Sequence, residues 1–319
     1  MIDSSRPEHL SRTLQLAWAL QNRKRLSPNL NALESAPSYL DSLLDLKWKA
    51  DLTAEAEFAR IEGEWIESER REIAPWANQA PRTPDDFIQW FEDLKQTGPG
   101  QQDPLFPWLA KEASFEEMRW FLKQEVGGEA GFDDLVALTQ VKLPNQAKLE
   151  LARNYWDEMG RGSERGMHGP MLHHLAVELE LHPVPEAEIV TESLALGNLM
   201  VGMAFHKRYT YQSIGALGVI ELTAPGRASC VYEGLKRLDV SSTGRQYYLL
   251  HSTLDVKHSE AWNREVLRPL ISASPKVAPL IAEGALLRLK AGSFCFRRYR
   301  RELDLLNLNS KIASLRLTA

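Results

Sequence analysis

One helical segment constrains the whole chain, because its apolar face carries titratable groups. When YYLLHSTLDVKHSEAW (residues 247–262) is placed on a helical wheel at about 100° per residue, His251, Asp255 and His258 fall within about 60° of one another. The same arc holds Tyr247, Leu254 and Trp262, whereas Arg245, Lys257, Ser259 and Glu260 lie on the other side. Burying an unpaired carboxylate and two imidazoles costs several kcal/mol. These three side chains therefore need hydrogen bonds to one another or a metal ion.

The rest of the chain is also predicted to be helical. Apolar residues recur at helical spacing in LSRTLQLAWAL and in YLDSLLDLKWKADLTAEAEFARIEGEWI. Ser114 and Glu117 form a capping-box pattern, and Thr83 followed by Pro84 marks another helix start. Strand-like alternation is scarce, and the sequence contains no internal repeat. We predict an all-α fold.

A stretch rich in proline, glycine and glutamine, QTGPGQQDPLFP at 96–107, is the clearest interruption of these helical patterns. We take it as a domain boundary. Residues 1–100 are then predicted to form an N-terminal helical extension, used for packing or for dimerisation. Residues 101–319 are predicted to form the main domain.

Three further helices place a carboxylate on an apolar stripe. Glu125 shares a face with the apolar residues of SFEEMRWFLKQE, and Glu158 does so in AKLELARNYWDE. Glu221 follows the uncharged run YTYQSIGALGVI. A single glutamate of this kind is more often a capping residue or a surface side chain. Four helices that each turn an acid or an imidazole inward favour a shared site.

His168 is the seventh candidate, although it lies ten residues after Glu158. In one straight helix the two residues would be about 15 Å apart along the axis. Glycines interrupt the intervening GRGSERGM, so a local break is able to fold His168 back towards Glu158. His173 and His174 are alternatives, and both fit ordinary positions on a helix surface.

Four carboxylates and three imidazoles, without a thiolate, form a donor set suited to iron or to manganese. Seven protein donors are too many for one ion, so the set predicts two. The common four-helix diiron pattern needs two Glu-x-x-His motifs, and neither occurs here. A different helical scaffold is therefore expected to hold the metals.

Several stretches resemble one known family, the haem-oxygenase-like diiron oxidases and oxygenases, also described as iron-containing redox enzymes. The stretches lie within residues 104–270 and are PLFPWLAKEASFEEMRWFLKQE, ARNYWDEMGRGSERGMH, GALGVIE and GLKRLDVSSTGRQYYLLHSTLDVKHSEAW. The resemblance implies a seven-helix haem-oxygenase-like bundle with two irons, no haem, and O2 activation with an external electron donor. The family's ligand pattern resembles Glu125, Glu158, His168, Glu221, His251, Asp255 and His258. Members are often dimers, so a homodimer is expected.

The resemblance also indicates a reaction class. A set with three histidines, including His251, is more similar to members that oxidise an amine nitrogen than to the two-histidine members that cleave C–H or C–C bonds. We therefore expect N-oxygenation of a small amine or amino-acid-like substrate, with C–H or C–C oxidation of an amino acid or fatty acid as the alternative. A non-catalytic metal-binding helical scaffold is a second alternative. A third is a metal-independent enzyme like the thiamine-degrading and quinone-forming relatives, which do not need seven donors.

Candidate substrate residues are less well marked. The cluster RRYRR at 297–301 lies in a predicted C-terminal helix with the apolar stripe Phe296, Tyr299, Leu303 and Leu306. Arg300 flanks this stripe and is suited to a bidentate contact with a substrate carboxylate, or it belongs to a solvated face. Arg208 and Tyr209, before the helix of Glu221, are equally suitable.

Composition excludes several classes of partner. A net charge of −5 and a pI near 6.0 provide no basic surface for nucleic acid. Two cysteines, Cys230 and Cys295, without a Cys-x-x-Cys pair are typical of a reducing compartment. The N-terminus MIDSSRPEHL has no apolar signal-peptide core, and no apolar run is long enough to span a membrane. A cytoplasmic protein is expected.

Overall fold

The computed structural model describes residues 52–181 and 188–305, which form helices joined by short turns. The helices are α1 (Leu52–Ala77), α2 (Pro84–Thr97), α3 (Leu105–Lys111), α4 (Phe115–Gly128), α5 (Phe132–Thr139), α6 (Asn145–Glu158), α7 (His168–Glu178), α8 (Thr191–Phe205), α9 (Thr210–Arg237), α10 (Gln246–Trp262), α11 (Arg268–Ala273) and α12 (Ala278–Glu302). In these ranges β-pairing is limited to one isolated bridge, between Met159 and Met167. The predicted all-α fold is confirmed.

Two predicted helix starts are found where the sequence placed them. Helix α4 begins after Ser114, whose hydroxyl accepts from the backbone N–H of Glu117 while the Glu117 carboxylate accepts from the backbone N–H of Ser114. Helix α2 begins at Pro84 after Thr83. The Thr83 hydroxyl, however, bonds to the Asp86 side chain and leaves the backbone N–H groups of the first turn to solvent.

The described part of the predicted N-terminal extension packs on the same core as the rest of the chain. Ile66 of α1 and Phe87 and Phe91 of α2 belong to one buried cluster with Leu217 of α9 and Ile281 of α12. The division at residue 100 stays a prediction, as does the dimerisation role of the extension, whose first fifty-one residues lie outside the described part.

Helices α9 and α12 form the central pair, and their backbones touch. A Cβ added at Gly215 would lie 1.9 Å from the carbonyl oxygen of Ile281, and one added at Gly284 would lie 1.7 Å from that of Gln212. Only glycine permits this approach. The close contact fixes the position of Glu221, two turns further along α9.

Two buried clusters flank the central pair. One contains residues of α1, α2, α5, α6, α8 and α11, and the other contains residues of α3, α4 and α7. Both include residues of α9, α10 and α12. A cavity opens between them, with walls that come mainly from α4, α8, α9, α10 and α12. Five of the seven candidate donors line this cavity, namely Glu125, Glu158, Glu221, His251 and Asp255.

Among the described helices, none is by itself long and apolar enough to cross a membrane. Two helical segments, Gln246–Ala273 and Pro275–Glu302, meet at an angle of 112°. Only together are they long and apolar enough to do so, by length and composition alone.

The glycine contacts predict a large difference between substitutions within α9. Gly215→Ala should destabilise the fold by about 2–4 kcal/mol, because the new methyl group meets the α12 backbone, which has no room to move. Gly226→Ala, in the same helix, meets nothing within 4 Å and should be neutral or stabilise by up to about 1 kcal/mol. Urea unfolding followed by circular dichroism measures both. Equal effects of the two substitutions would contradict the packing.

Candidate metal centre

Six of the seven predicted donors lie in two clusters. The first contains Glu158, His168 and His251, and the second contains Glu221, Asp255 and His258. Within each cluster the potential ligand atoms all lie within 4.8 Å of one another. Each cluster thus combines imidazole with carboxylate, the donor types that bind iron and manganese.

A glycine loop brings His168 to Glu158. Helix α6 ends at Glu158 and α7 begins at His168, and the loop between them is closed by the bridge from Met159 to Met167. Gly160 has a φ of 60°, which is costly for a residue with a side chain. His168 Nδ1 consequently lies 2.6 Å from Glu158 Oε2. The predicted break is confirmed.

The histidines that follow on α7 lie outside the clusters. His174 is exposed, and His173 is only partly buried. Neither is a member of either donor group. Of the three candidates in this stretch, His168 alone faces the other donors.

Helix α10 contributes to both clusters. His251 lies in the cavity wall and joins the first cluster, while Asp255 and His258 are buried and join the second. The predicted inward face of this helix is therefore found. Ser259, expected on the solvent side, is also buried.

Hydrogen bonds orient two of the imidazoles. His251 Nδ1 lies 2.7 Å from the carbonyl oxygen of Tyr247; a proton there is donated to that oxygen and leaves Nε2 with a free lone pair. His258 Nε2 lies 3.1 Å from Asp157 Oδ2, which leaves Nδ1 directed to the second cluster. Arg161 Nε donates to Asp157 Oδ1 at 2.6 Å and holds this carboxylate in place. Asp157 was not predicted from the sequence, because it precedes Glu158 and faces away from the apolar stripe.

Three buried donor atoms have no hydrogen-bond partner within the described residues: His168 Nδ1, Asp255 Oδ1 and His258 Nδ1. Carboxylate oxygens face both histidine nitrogens, Glu158 Oε2 at 2.6 Å from His168 Nδ1 and Glu221 Oε2 at 3.5 Å from His258 Nδ1, but neither contact is a well-aligned hydrogen bond. Buried polar atoms in native proteins are almost always satisfied, and each orphan costs about 1–3 kcal/mol. A metal ion in each cluster would satisfy these atoms, so the residues present fit iron.

The pKa values of the donor side chains also favour a bound cation. Burial, with repulsion from Glu221 and Glu158, raises the pKa of Asp255. Burial also lowers the pKa of His168 and of His251 to about 4, so both imidazoles are neutral at pH 7. Burial of the His258 imidazole acts to lower its pKa, but Glu221 and Asp157 outweigh this effect and raise the pKa to about 9. The first cluster thus offers two neutral imidazoles to a cation, whereas in the second cluster the crowded carboxylates hold a proton on His258 that a bound metal ion would displace.

Glu125 lies apart from both clusters. Its Oε1 accepts a hydrogen bond from the Tyr299 hydroxyl at 3.0 Å, and Ser193 Oγ lies 2.8 Å from the same hydroxyl. It lines the cavity together with Glu158, Glu221 and Asp255 of the clusters. Its role as a metal ligand stays a prediction.

The cavity has a volume of about 200 Å³. Its wall is largely apolar and includes Phe121, Leu196, Met200 and Ile220. Pockets for drug-sized ligands are usually larger, at about 300–1,000 Å³. The cavity is suited to a small molecule.

The predicted substrate residues lie outside this cavity. Arg300 Nε forms an ion pair with Asp103 Oδ1 at 3.2 Å and does not line the wall, so the geometry does not support its proposed contact with substrate. Arg208 lies with its guanidinium 4.9 Å from the ring of Tyr209, and the two line a separate pocket beside α1. The arginines of the cavity wall are Arg227 and Arg288.

The sequence contains a signal for one of these arginines. Arg288 interrupts the apolar run ALLRLK in α12, in the way that Glu221 follows an uncharged run in α9. The same argument that found Glu221 would have found Arg288. Arg227 lies in APGRAS, among small residues, and carries no comparable signal.

A model of the protein family described as "iron-containing redox enzyme" matches residues 119–293. The matched region runs from α4 into α12 and contains all seven predicted donors. Among solved structures, the chain is similar to a CADD-like protein of unknown function from Nostoc punctiforme, with 14% identity over 75% of this chain and 98% of that chain, at a TM-score of 0.48. No curated protein matches the chain.

The glycine loop predicts a selective effect on metal binding. Gly160→Ala should weaken Mn(II) or Fe(II) binding by about 10- to 100-fold, because a Cβ there would lie 2.3 Å from the carbonyl carbon of Gly166 and would open the loop that holds His168. Anaerobic isothermal titration calorimetry measures the affinity. The matched control is Gly169→Ala, whose Cβ meets nothing within 4 Å and which should bind metal like the wild type. Unchanged affinity in Gly160→Ala would show that the loop does not position a ligand.

Proposed function

Because this chain belongs to the family of iron-containing redox enzymes, we propose that it is a diiron, O2-dependent oxidase of a small amine or amino-acid-like substrate. The family and the all-α haem-oxygenase-like bundle that the resemblance predicted are both confirmed. In the proposed reaction, one oxygen atom enters an N–H bond of the substrate and gives a hydroxylamine. The other oxygen atom leaves as water, with two protons and with two electrons from an external donor.

The two adjacent donor clusters carry this proposal. Each combines carboxylate and imidazole ligands, and each holds at least one buried donor atom without a hydrogen-bond partner. A helical scaffold that bound no metal would leave these atoms unsatisfied at considerable cost. The arrangement is therefore better explained by two ions than by structural packing.

Each cluster is assigned one ion. Glu158, His168 and His251 would hold the first, and Glu221, Asp255 and His258 would hold the second, with Glu125 as a further ligand from α4. Iron bound there would supply the electrons that reduce O2 and the Lewis acidity that activates it. Manganese is compatible with the same donors.

The protein's own residues set up this chemistry. The Tyr247 carbonyl and the Asp157 carboxylate fix the ring orientations of His251 and His258. The apolar wall keeps water from a reactive oxidant. Tyr299 holds a proton between Glu125 and Ser193 at the edge of the cavity.

The choice of nitrogen as the site of oxidation depends on His251. This third histidine lies in the first cluster with Glu158 and His168, which supports the resemblance to the N-oxygenating members. The rings of His168 and His251 meet edge to face at 4.7 Å. Oxidation of a C–H or C–C bond by the same site is the alternative, which analysis of the product distinguishes.

Anaerobic titration with Fe(II) tests the proposal. We expect about two irons per chain in the wild type and O2 consumption when a reductant and an amine or amino acid are added. His258→Ala should bind at most one iron and lose O2 consumption, because it removes a ligand of the second cluster. His174→Ala, which changes an exposed histidine outside both clusters, is the control and should behave like the wild type.

The products decide between the alternatives. A product heavier by one oxygen atom, with that atom on nitrogen, supports N-oxygenation; a desaturated or cleaved product supports C–H or C–C oxidation. Two bound irons without O2 consumption would indicate a metal-binding scaffold. A wild-type protein that binds no iron would overturn the proposal.

A further inference from the structure

Two arginines line the cavity beyond the donor clusters. Arg227 of α9 donates from Nη2 to the Thr223 hydroxyl at 3.0 Å, and its guanidinium lies 5.5 Å from the ring of Phe296. Arg288 of α12 lines the same wall. Within the described ranges Arg288 makes no hydrogen bond and no ion pair, although a guanidinium has five N–H donors. A guanidinium without hydrogen bonds in the cavity wall is unfavourable, so Arg288 is suited to a ligand that accepts hydrogen bonds.

Neither of these arginines has a directly paired counter-charge. Neither guanidinium forms an ion pair with a described carboxylate. Glu125 attracts both arginines, but its Oε1 accepts a hydrogen bond from the Tyr299 hydroxyl instead. Loss of water and repulsion from Arg288 lower the pKa of Arg227 to about 9, against the attraction of Glu125. If Glu125 binds metal, Arg227 loses this counter-charge and Arg288 keeps, among carboxylates, only the attraction of Glu129, which also lines the cavity. Two guanidinium groups without a direct carboxylate partner favour the binding of an anion in the cavity.

Arg227 is separated from the donor Glu221 along helix α9. Glu221 and Arg227 both line the cavity from α9 and are six residues apart, which corresponds to a rise of about 9 Å along the helix. The wall between these positions is apolar and includes Ile220, Ala224 and Met200. The cavity thus has a metal-donor end and a cationic end.

We propose that Arg227 and Arg288 form a carboxylate-binding subsite, so that the substrate is a small carboxylic acid whose reacting group is directed to the donor clusters. Guanidinium groups bind carboxylates in charge-assisted pairs, and an apolar surrounding strengthens such pairs. The volume of about 200 Å³ limits the acid to a small one. The direction of the reacting group towards the donor clusters rests on the proposed function. Binding of the carboxylate by the two arginines does not depend on it.

The test compares two probes that differ only in charge. Butanoate and its neutral analogue butanamide are titrated onto the full chain, as isolated and again after removal of metal with a chelator, and binding is followed by ligand-detected NMR. Without metal a carboxylate has no ion to bind, so a preference for butanoate reports on the protein. We expect butanoate to bind at least about tenfold more tightly than butanamide in both preparations.

Substitution of each arginine tests whether the two arginines cause the preference for butanoate. Arg227→Gln and Arg288→Gln should each weaken butanoate binding by about tenfold or more and leave butanamide binding unchanged. Arg300→Gln is the matched control, because Arg300 pairs with Asp103 outside the cavity, and it should bind butanoate like the wild type. Equal binding of the two probes, no binding of butanoate, or loss of binding only in Arg300→Gln would overturn the proposal.

A thermal measurement separates a binding role from a structural one. Since Arg288 has no partner in the described structure, Arg288→Gln should melt at the wild-type temperature or above it, and it should lose the rise in melting temperature that butanoate gives the wild type. A large fall in its melting temperature without ligand would mean that Arg288 supports the fold, and would overturn the proposal. Because no step needs iron or turnover, failure here leaves the diiron proposal standing. Failure of the iron titration likewise leaves the subsite standing.

Discussion

The electrostatic cost of crowding acids and imidazoles into the interior is the constraint on which the rest of this structure depends. Glu158, Glu221 and Asp255 lie close enough for burial and mutual repulsion to raise the pKa values of Glu158 and Asp255. A core of this size gains nothing from such groups by packing, since apolar residues of similar volume usually stabilise more. Binding of a cation is the physical explanation that this placement of the donors favours.

Rigid backbone contacts hold these groups together against repulsion. The glycine contacts of α9 with α12 fix Glu221, and the loop at Gly160 fixes His168 next to Glu158. Neither contact depends on a bound ion. The scaffold therefore positions the donors in advance, which would reduce the ordering that binding of a metal requires.

The sequence predicts most of this site and misses specific parts of it. Helical periodicity placed Asp255 and His258 inside, and the glycines between Glu158 and His168 indicated the break that the structure contains. Both signals are local, since they depend on spacing within one helix or one loop. The position of Glu125 beside Tyr299, away from both clusters, depends on how α4 meets α12, which no local pattern encodes.

Long-range pairing also separates Arg300, which the sequence singled out, from the cavity that Arg288 lines. Arg300 stands in a conspicuous basic cluster, yet its partner Asp103 is nearly two hundred residues away and appears only in the folded chain. Arg288 is a lone cation in an apolar run, and such a residue is costly unless it has a role. A single charged residue within an apolar helical stretch is thus a stronger indicator of function than one charged residue within a charged cluster. The acids of the donor clusters and Arg288 are charges of the first kind, since each stands in an apolar helical stretch.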